Sequence, residues 1–193
     1  DPSNDRAGIA GDRLAHGYDP TATGFYHGGD LAGLLDQIDY IEGLGTTAIW
    51  LTHSFKNKPV QGAPGSESAG YHGYWITDFT QIDPHLGTND ELEALVDAAH
   101  ARGIKVLIDE AWFAHARFHP ALRPTALESG ADYATQSAHK TLSALSQAAY
   151  IHVNDPTFNE HIFRENFNMH TSTSPMYSMI ASLDVSRKQA VLE

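Results

Sequence analysis

The chain has 193 residues, a formal net charge of -12 and 41% apolar residues, which suits one domain or two small ones with a real core and disfavours general affinity for nucleic acid or an anionic membrane. Cysteine is absent, which excludes disulfides, thiolate zinc sites and cysteine nucleophiles, and no stretch is long and apolar enough to span a bilayer. The 12 histidines would reduce the charge in magnitude as pH falls through the imidazole range.

No initiator Met or signal peptide opens the chain, and Asp1-Pro2-Ser3-Asn4-Asp5 reads as the interior of a longer one. Residues 1–28 are rich in Gly, Asp, Asn and Pro and read as loop. Leu31, Leu34, Leu35, Ile38, Ile41 and Leu44 fall on one helical face and predict a helix over 30–44, ended by Gly43 and Gly45. Thr46 to Thr52 (TTAIWLT) is β-branched and apolar, the pattern of a strand buried on both faces. Residues 53–74 read as a long loop, a length that is usually functional or disordered, and Thr77 to Asp83 as a short extended segment. Thr88-Asn89-Asp90-Glu91 is a capping box. It opens a helix to about Arg102 with Leu92, Leu95, Val96 and Ala99 inward and Gly103 as the stop. The strand Ile104–Asp109 follows, buried and ending in a charged turn. Strand, helix, strand in that order predicts parallel pairing through a right-handed crossover.

Beyond Trp112 the texture changes. Residues 116–130 are irregular around Pro120 and Pro124. Strands are expected at Asp132–Gln136 and Ala148–Val153. Thr157-Phe158-Asn159-Glu160 reads as a second capping box, opening a helix to about Met169. Ser174-Pro175 offers an N-cap and a Pro at N1 for a last helix with Met176, Met179, Ile180 and Leu183 on its buried face.

Four segments carry a resemblance in the front half: Phe25-Tyr26-His27-Gly28-Gly29-Asp30-Leu31, Gly45 to Thr52, Gly70-Tyr71-His72-Gly73-Tyr74-Trp75 and Asp83-Pro84-His85-Leu86-Gly87-Thr88. In residues, order and spacing, residues 1–109 resemble the α-amylase family of glycoside hydrolases. The resemblance implies a (β/α)8 barrel acting on α-linked glucans. It assigns Tyr74 as a stacking platform for a sugar ring with His72 beside it, roles that suit an aromatic face and an imidazole. It also implies a calcium site from oxygen ligands of Asp1, Asn4, Asp5, the Gly28 carbonyl and Asp30, since a hard cation takes several oxygens. The family's motif of Asp, three residues, Asn, His is broken here: Phe113 and Ala114 follow Asp109, and His115 comes one position late. His53 stands where the family has Pro. No segment matches the motifs that carry the two catalytic carboxylates of glycoside hydrolysis.

The back half carries a different resemblance. Asp109-Glu110-Ala111-Trp112, His115-Ala116-Arg117-Phe118-His119-Pro120, Gln136-Ser137-Ala138-His139-Lys140, Ser146-Gln147-Ala148, Ile151-His152-Val153 and Ser172-Thr173-Ser174-Pro175 make residues 104–193 similar to the Orn/Lys/Arg decarboxylases, fold-type-I pyridoxal-phosphate (PLP) enzymes. The resemblance implies Lys140 as the Schiff-base lysine, a role that requires it to lose its proton. Asp109 becomes the partner of the pyridine nitrogen, which keeps the ring an electron sink. Ala111 packs under the ring, Trp112 lines the pocket, and Ser137 and His139 are phosphate ligands, with His139 beside the reacting centre. Thr173 or Ser174 would reach phosphate across a homodimer interface.

The expected fold class is therefore α/β: parallel βαβ units, with a partial (β/α)8-barrel-like half (1–105) joined to a partial fold-type-I PLP-enzyme-like half (106–193). Three functional readings stand side by side. The first is a composite of two incomplete enzyme segments whose surviving chemistry is PLP binding of the basic-amino-acid decarboxylase type. The second is an α-glucan-binding fragment derived from a glycoside hydrolase. The third is an inactive artificial chimera. All three take a small-molecule ligand at most, with no nucleic acid and no membrane. The two parent families differ in usual compartment, which leaves localisation open.

Overall fold

Caps and stops written into the sequence set most of the helix ends. The computed structural model describes residues 2–192, which divide into an N-terminal unit, Asp1–Asp109, and a C-terminal unit, Glu110–Glu193.

In the N-terminal unit Asp12 caps a single turn, α1 (Arg13–His16), by accepting from the Leu14 N–H. Asp30 caps α2 (Leu31–Asp36) through the Gly33 N–H, and Gln37 then separates it from α3 (Ile38–Gly43). The expected helix over 30–44 is thus two short ones. Leu31 and Ile38 are buried, whereas Leu44 is exposed. β1 (Ala48–Leu51) follows. The stretch read as one long loop contains three short strands: β2 (Phe55–Asn57), β3 (Val60–Gln61) and β4 (Ser68–Ala69). β3 and β4 pair antiparallel, and β2 pairs antiparallel with β5 (Ile76–Ile82) across register shifts.

The capping box forms as expected. Thr88 and Glu91 satisfy each other's backbone at the start of α4 (Asn89–His100), which buries Leu95, Val96 and Ala99. Gly103, at φ +70°, ends that turn, and β6 (Lys105–Asp109) begins. β6 runs parallel to β1, Ala48 opposite Lys105 through Leu51 opposite Ile108, so the predicted strand, helix, strand crossover is present. The apolar run of β1 is not buried on both faces, however. Trp50 is 69% exposed, whereas the alternate side chains of β6, Val106 and Ile108, are buried.

In the C-terminal unit, residues 116–130 are irregular, with two 3-10 turns at Ala116–Phe118 and Pro120–Leu122. β7 (Tyr133–Gln136) leads into the short α5 (Ala138–Thr141) and then β8 (Tyr150–Val153). β7 and β8 pair antiparallel, Tyr133 opposite Val153. The parallel βαβ pattern of the expected fold class is not repeated here, and the link between the two strands holds only a four-residue helix. Helix α6 (Glu160–His170) is capped by Asn159, which accepts from the Ile162 N–H. Thr157 is not the cap: its N–H and hydroxyl both bond Asp155. The last helix, α7 (Tyr177–Leu192), starts beyond Ser174-Pro175, and the Ser174 N–H bonds the Ser172 hydroxyl. Its expected buried face is largely open, with Met176 at 60% and Ile180 at 53% exposure. What docks α7 is polar: the Tyr150 hydroxyl donates to the Leu183 carbonyl (2.7 Å), and the Ser182 hydroxyl accepts from the Leu145 N–H (3.1 Å).

Candidate functional site

An aromatic cluster gathers on the loop between β4 and β5. Gly73 sits at φ +80°, and a Cβ there would lie 2.1 Å from the His53 carbonyl oxygen. Only glycine lets the loop close this tightly. The turn is fixed further by the Tyr74 N–H donating to His72 Nδ1 (3.0 Å) and the Trp75 N–H donating to Asn57 Oδ1 (2.6 Å). His72 stacks on Tyr74 with ring centroids 5.8 Å apart and planes 20° from parallel. His53 meets Tyr74 edge-on at 5.9 Å, and Trp75 meets His72 edge-on at 4.6 Å. Burial lowers the His72 pKa, and its Nδ1 is already an acceptor, so the ring is neutral with its proton on Nε2. Sequence reasoning paired His72 with Tyr74, and the structure brings them together.

The tip of Tyr74 is anchored. Its hydroxyl donates to Asp109 Oδ2 at 2.8 Å. The phenol pKa is pushed up to about 12, first by burial and then by the hydrogen bond and negative charge of Asp109. Tyr74 remains 38% exposed, so part of its ring is open to a ligand. The same unit holds a cavity of about 440 Å³ bordered by Asp5, Phe25, His27 and Tyr71.

Beneath this loop lies a buried polar cluster whose importance the sequence does not signal. Asp83 and His85 pair at 2.7 Å with side chains almost wholly buried. Asp83 also accepts the Asn57 N–H (2.7 Å) and the His85 N–H (2.9 Å). His85 Nε2 bonds the His16 carbonyl at 2.6 Å, and Tyr26 stacks on the imidazole at 3.9 Å. Burial, reinforced by Asp83, pushes the Tyr26 phenol far up.

The residues assigned to calcium are only partly assembled. Asn4 donates its side-chain amide to Asp30 Oδ2 (3.1 Å), and Asp30 Oδ1 accepts the Gly33 N–H (2.7 Å). Asp5 Oδ1 lies 3.0 Å from where a Cβ on Gly28 would stand. Asp1 is outside the described residues. Among the described residues no group of three or more His, Cys, Asp or Glu could hold a metal, and both Asp30 oxygens already serve N–H donors.

In the C-terminal unit, Ala111, Trp112, Ser137 and Lys140 converge. The Ser137 N–H donates to the Ala111 carbonyl (3.2 Å), and Lys140 Nζ lies 5.3 Å from the centre of the Trp112 ring. His139 is turned to the backbone: its N–H donates to the Ala148 carbonyl, and its Nδ1 lies 3.1 Å from the same oxygen. Asp109 belongs to the other unit, where Tyr74 holds it.

Glu110 corrects the expectation of a charged turn. It is 1% exposed and accepts the Ala126 N–H (2.7 Å) and the Gln136 amide (2.8 Å). Gln136 in turn bonds His152 Nε2 at 2.8 Å. Burial lowers the His152 pKa. No local pattern marks Glu110; its carboxylate is met by donors 16 and 26 residues away.

Both resemblances have counterparts among known proteins. The chain is 62% identical over 101 residues to an α-amylase of Streptomyces lividans, covering 52% of this chain and 11% of that protein. It is 39% identical over 116 residues to the periplasmic α-amylase of Escherichia coli, covering 56% of this chain and 16% of that protein. Among solved structures, the cyclomaltodextrin glucanotransferase CldA shares 42% identity, with a TM-score of 0.48, over 56% of this chain and 22% of that one. The chain thus spans less than a fifth of the length of these two curated relatives. The sequence profile of the Orn/Lys/Arg decarboxylase major domain matches residues 75–192. That match begins well ahead of the decarboxylase-like motifs, so it overlaps the amylase-like half. Since it takes in more than half of the residues, the chain belongs to the Orn/Lys/Arg decarboxylase family by its major domain.

Proposed function

We propose that the N-terminal unit binds short α-linked glucans, with the open part of the Tyr74 ring as platform and His72 Nε2–H as a donor to a sugar hydroxyl. One observation carries this: Tyr74 is held at its tip by Asp109 (2.8 Å), flanked by His72 and His53, and left 38% exposed. A fixed aromatic ring suits the C–H face of a pyranose. The similarity to α-amylases over about half of the chain supports the sugar class. The reading is of binding: its residues are a platform and a donor, whereas glycoside hydrolysis needs two carboxylates across the scissile bond. Binding of maltotriose measured by calorimetry is expected to disappear in Tyr74→Ala. Binding that survives that substitution unchanged removes the idea.

A second reading rests on the C-terminal unit and the family match at 75–192. Ala111, Trp112, Ser137 and Lys140 gather there, a donor set and an amine that fit PLP. Lys140 would hold the aldehyde, Trp112 would line the ring, and Ser137 would meet the phosphate. When bound, the cofactor supplies an electron sink for decarboxylation of a basic amino acid. Ala111 leaves room for the flat ring, and Lys140 Nζ stands over the Trp112 ring, beside the space the cofactor would take. His139, bonded to the Ala148 carbonyl, must turn to reach a phosphate. After incubation with PLP and borohydride reduction, the pyridoxyl group is expected on Lys140 by peptide mapping. Equal labelling of all lysines sinks this reading. The composite character of the chain, with one family's motifs ahead of Asp109 and another's behind it, belongs to both readings.

A further inference from the structure

We propose that Asp109 is a positioning residue for glucan recognition, its carboxylate fixing the Tyr74 ring through the phenol hydroxyl. The inference rests on the glucan-binding reading of Tyr74 and names a residue that reading does not require.

A tyrosine side chain turns about two torsions, and an exposed one is free to do so. Here three contacts remove that freedom. His72 lies nearly parallel to one side of the ring, His53 meets it edge-on, and Asp109 takes the tip at 2.8 Å. The two histidines restrain the ring by packing. Asp109 holds it by a directional, charge-assisted bond, the stronger kind. The anchor itself stands on firm ground. Asp109 ends β6, whose residues from Lys105 to Ile108 pair in register with Ala48 to Leu51 of β1. A binding group mounted on such an element is more sharply placed than one held by a loop. Tyr74 lies on a loop, so the bond to Asp109 transfers the rigidity of the strand to the platform. Ordering the ring before a ligand arrives lowers the entropy lost on binding. The raised phenol pKa follows from the same geometry: a neutral phenol donates to the carboxylate, and a phenolate would be repelled by it.

The test uses the full chain with ring-labelled tyrosine, maltotriose as the probe, and five proteins: wild type, Asp109→Asn, Asp109→Ala, Tyr74→Phe and Tyr74→Ala. Tyr74 is identified by the resonance missing in Tyr74→Phe. In wild type its phenol is expected to titrate at about 12, and in Asp109→Ala near the ordinary tyrosine value of about 10. Maltotriose affinity is expected to fall about tenfold in Asp109→Ala and in Tyr74→Phe, the size of a lost charge-assisted hydrogen bond. Asp109→Asn, whose carbonyl can still accept, should recover part of it. If the phenol titration moves and affinity does not, the bond is structural only and the inference is overturned. If affinity moves and the titration does not, Asp109 acts by another route and the inference is equally overturned. Should Asp109→Ala fail to fold, Tyr74→Phe decides alone, and wild-type affinity in that variant overturns the inference. Absence of maltotriose binding by folded wild type defeats the glucan reading itself. Binding that is intact in every variant except Tyr74→Ala defeats only the role of Asp109.

Discussion

Replacing Asp83 by alanine is expected to destabilise the N-terminal unit by about 3–5 kcal/mol, the cost of taking the shared acceptor away from several buried donors. Asp83 is 2% exposed and serves three donors: the Asn57 N–H, the His85 N–H and His85 Nδ1. The Tyr26 hydroxyl is tied to it as well. Both ring nitrogens of His85 lie within hydrogen-bond distance of oxygens, Nδ1 of Asp83 Oδ1 and Nε2 of the His16 carbonyl. Alanine would leave His85 Nδ1 and two backbone N–H groups without that partner away from water, where each unmet donor is costly. The damage spreads along the chain, because Asn57 also fixes Trp75 and hence the loop that carries Tyr74. Asp83→Asn keeps the shape, lacks the charge and offers a single accepting oxygen, so it should fall between wild type and alanine. Urea unfolding followed by near-ultraviolet circular dichroism measures the difference. A loss under about 1 kcal/mol for Asp83→Ala, the scale of an ordinary exposed hydrogen bond, contradicts the account.

That cluster shows what kind of information a single sequence holds. Local signals are explicit: the capping box at Thr88 and Glu91 and the stop at Gly103 follow from residues near one another in the chain, and the order strand, helix, strand is enough to predict the parallel pairing of β1 with β6. The His72 and Tyr74 pair is legible for the same reason. What fails is whatever depends on partners far away or on layers that must cover a face. Trp50, Met176 and Ile180 have the apolar pattern of core positions and are exposed, because pattern records what a face could pack against and not whether anything packs there. Glu110 and Asp83 are the converse. Their charge suggests surface, and the donors gathered around them make burial tolerable, among them Asn57 for Asp83 and Ala126 and Gln136 for Glu110. Thr157 lost the cap position to Asn159 because Asp155 engages its hydroxyl, a competition between neighbouring polar side chains that spacing alone does not rank. Asp109 is the most instructive residue. Two sets of motifs lay claim to it, one as the first residue of a broken amylase pattern and the other as the partner of a cofactor ring. Its Oδ2 accepts from Tyr74, so in this molecule the carboxylate is engaged from the amylase-like side.

Glu110→Leu is expected to destabilise the C-terminal unit by about 3–5 kcal/mol, through the donors it orphans more than through any volume change. The Ala126 N–H and the Gln136 amide both point at the carboxylate. Leucine matches the bulk and accepts from neither. Gln136 then loses the bond that orients it, although its oxygen is the partner of His152 Nε2. Glu110→Gln is the milder change, since one amide oxygen can still take one of the two donors while its own NH2 group faces the other. The order wild type, Glu110→Gln, Glu110→Leu is therefore the expected order of unfolding midpoints. The network also has a pH signature with a definite sign. Burial lowers the His152 pKa in the folded state, so the unfolded chain takes up a proton that the folded one refuses. Stability from this source is complete above the unfolded imidazole value of about 6.5 and declines as pH falls below it toward the lower folded value. Burial lowers the His115 pKa too, in the same unit and with the same sign. Urea midpoints at pH 8 and pH 5.5 should thus differ in wild type, and the difference should shrink in His152→Gln, which keeps a donor for Gln136 and cannot titrate. Equal midpoints for wild type and Glu110→Leu at pH 8 would falsify the buried network, because a carboxylate that carries two donors in a dry core cannot be removed without cost.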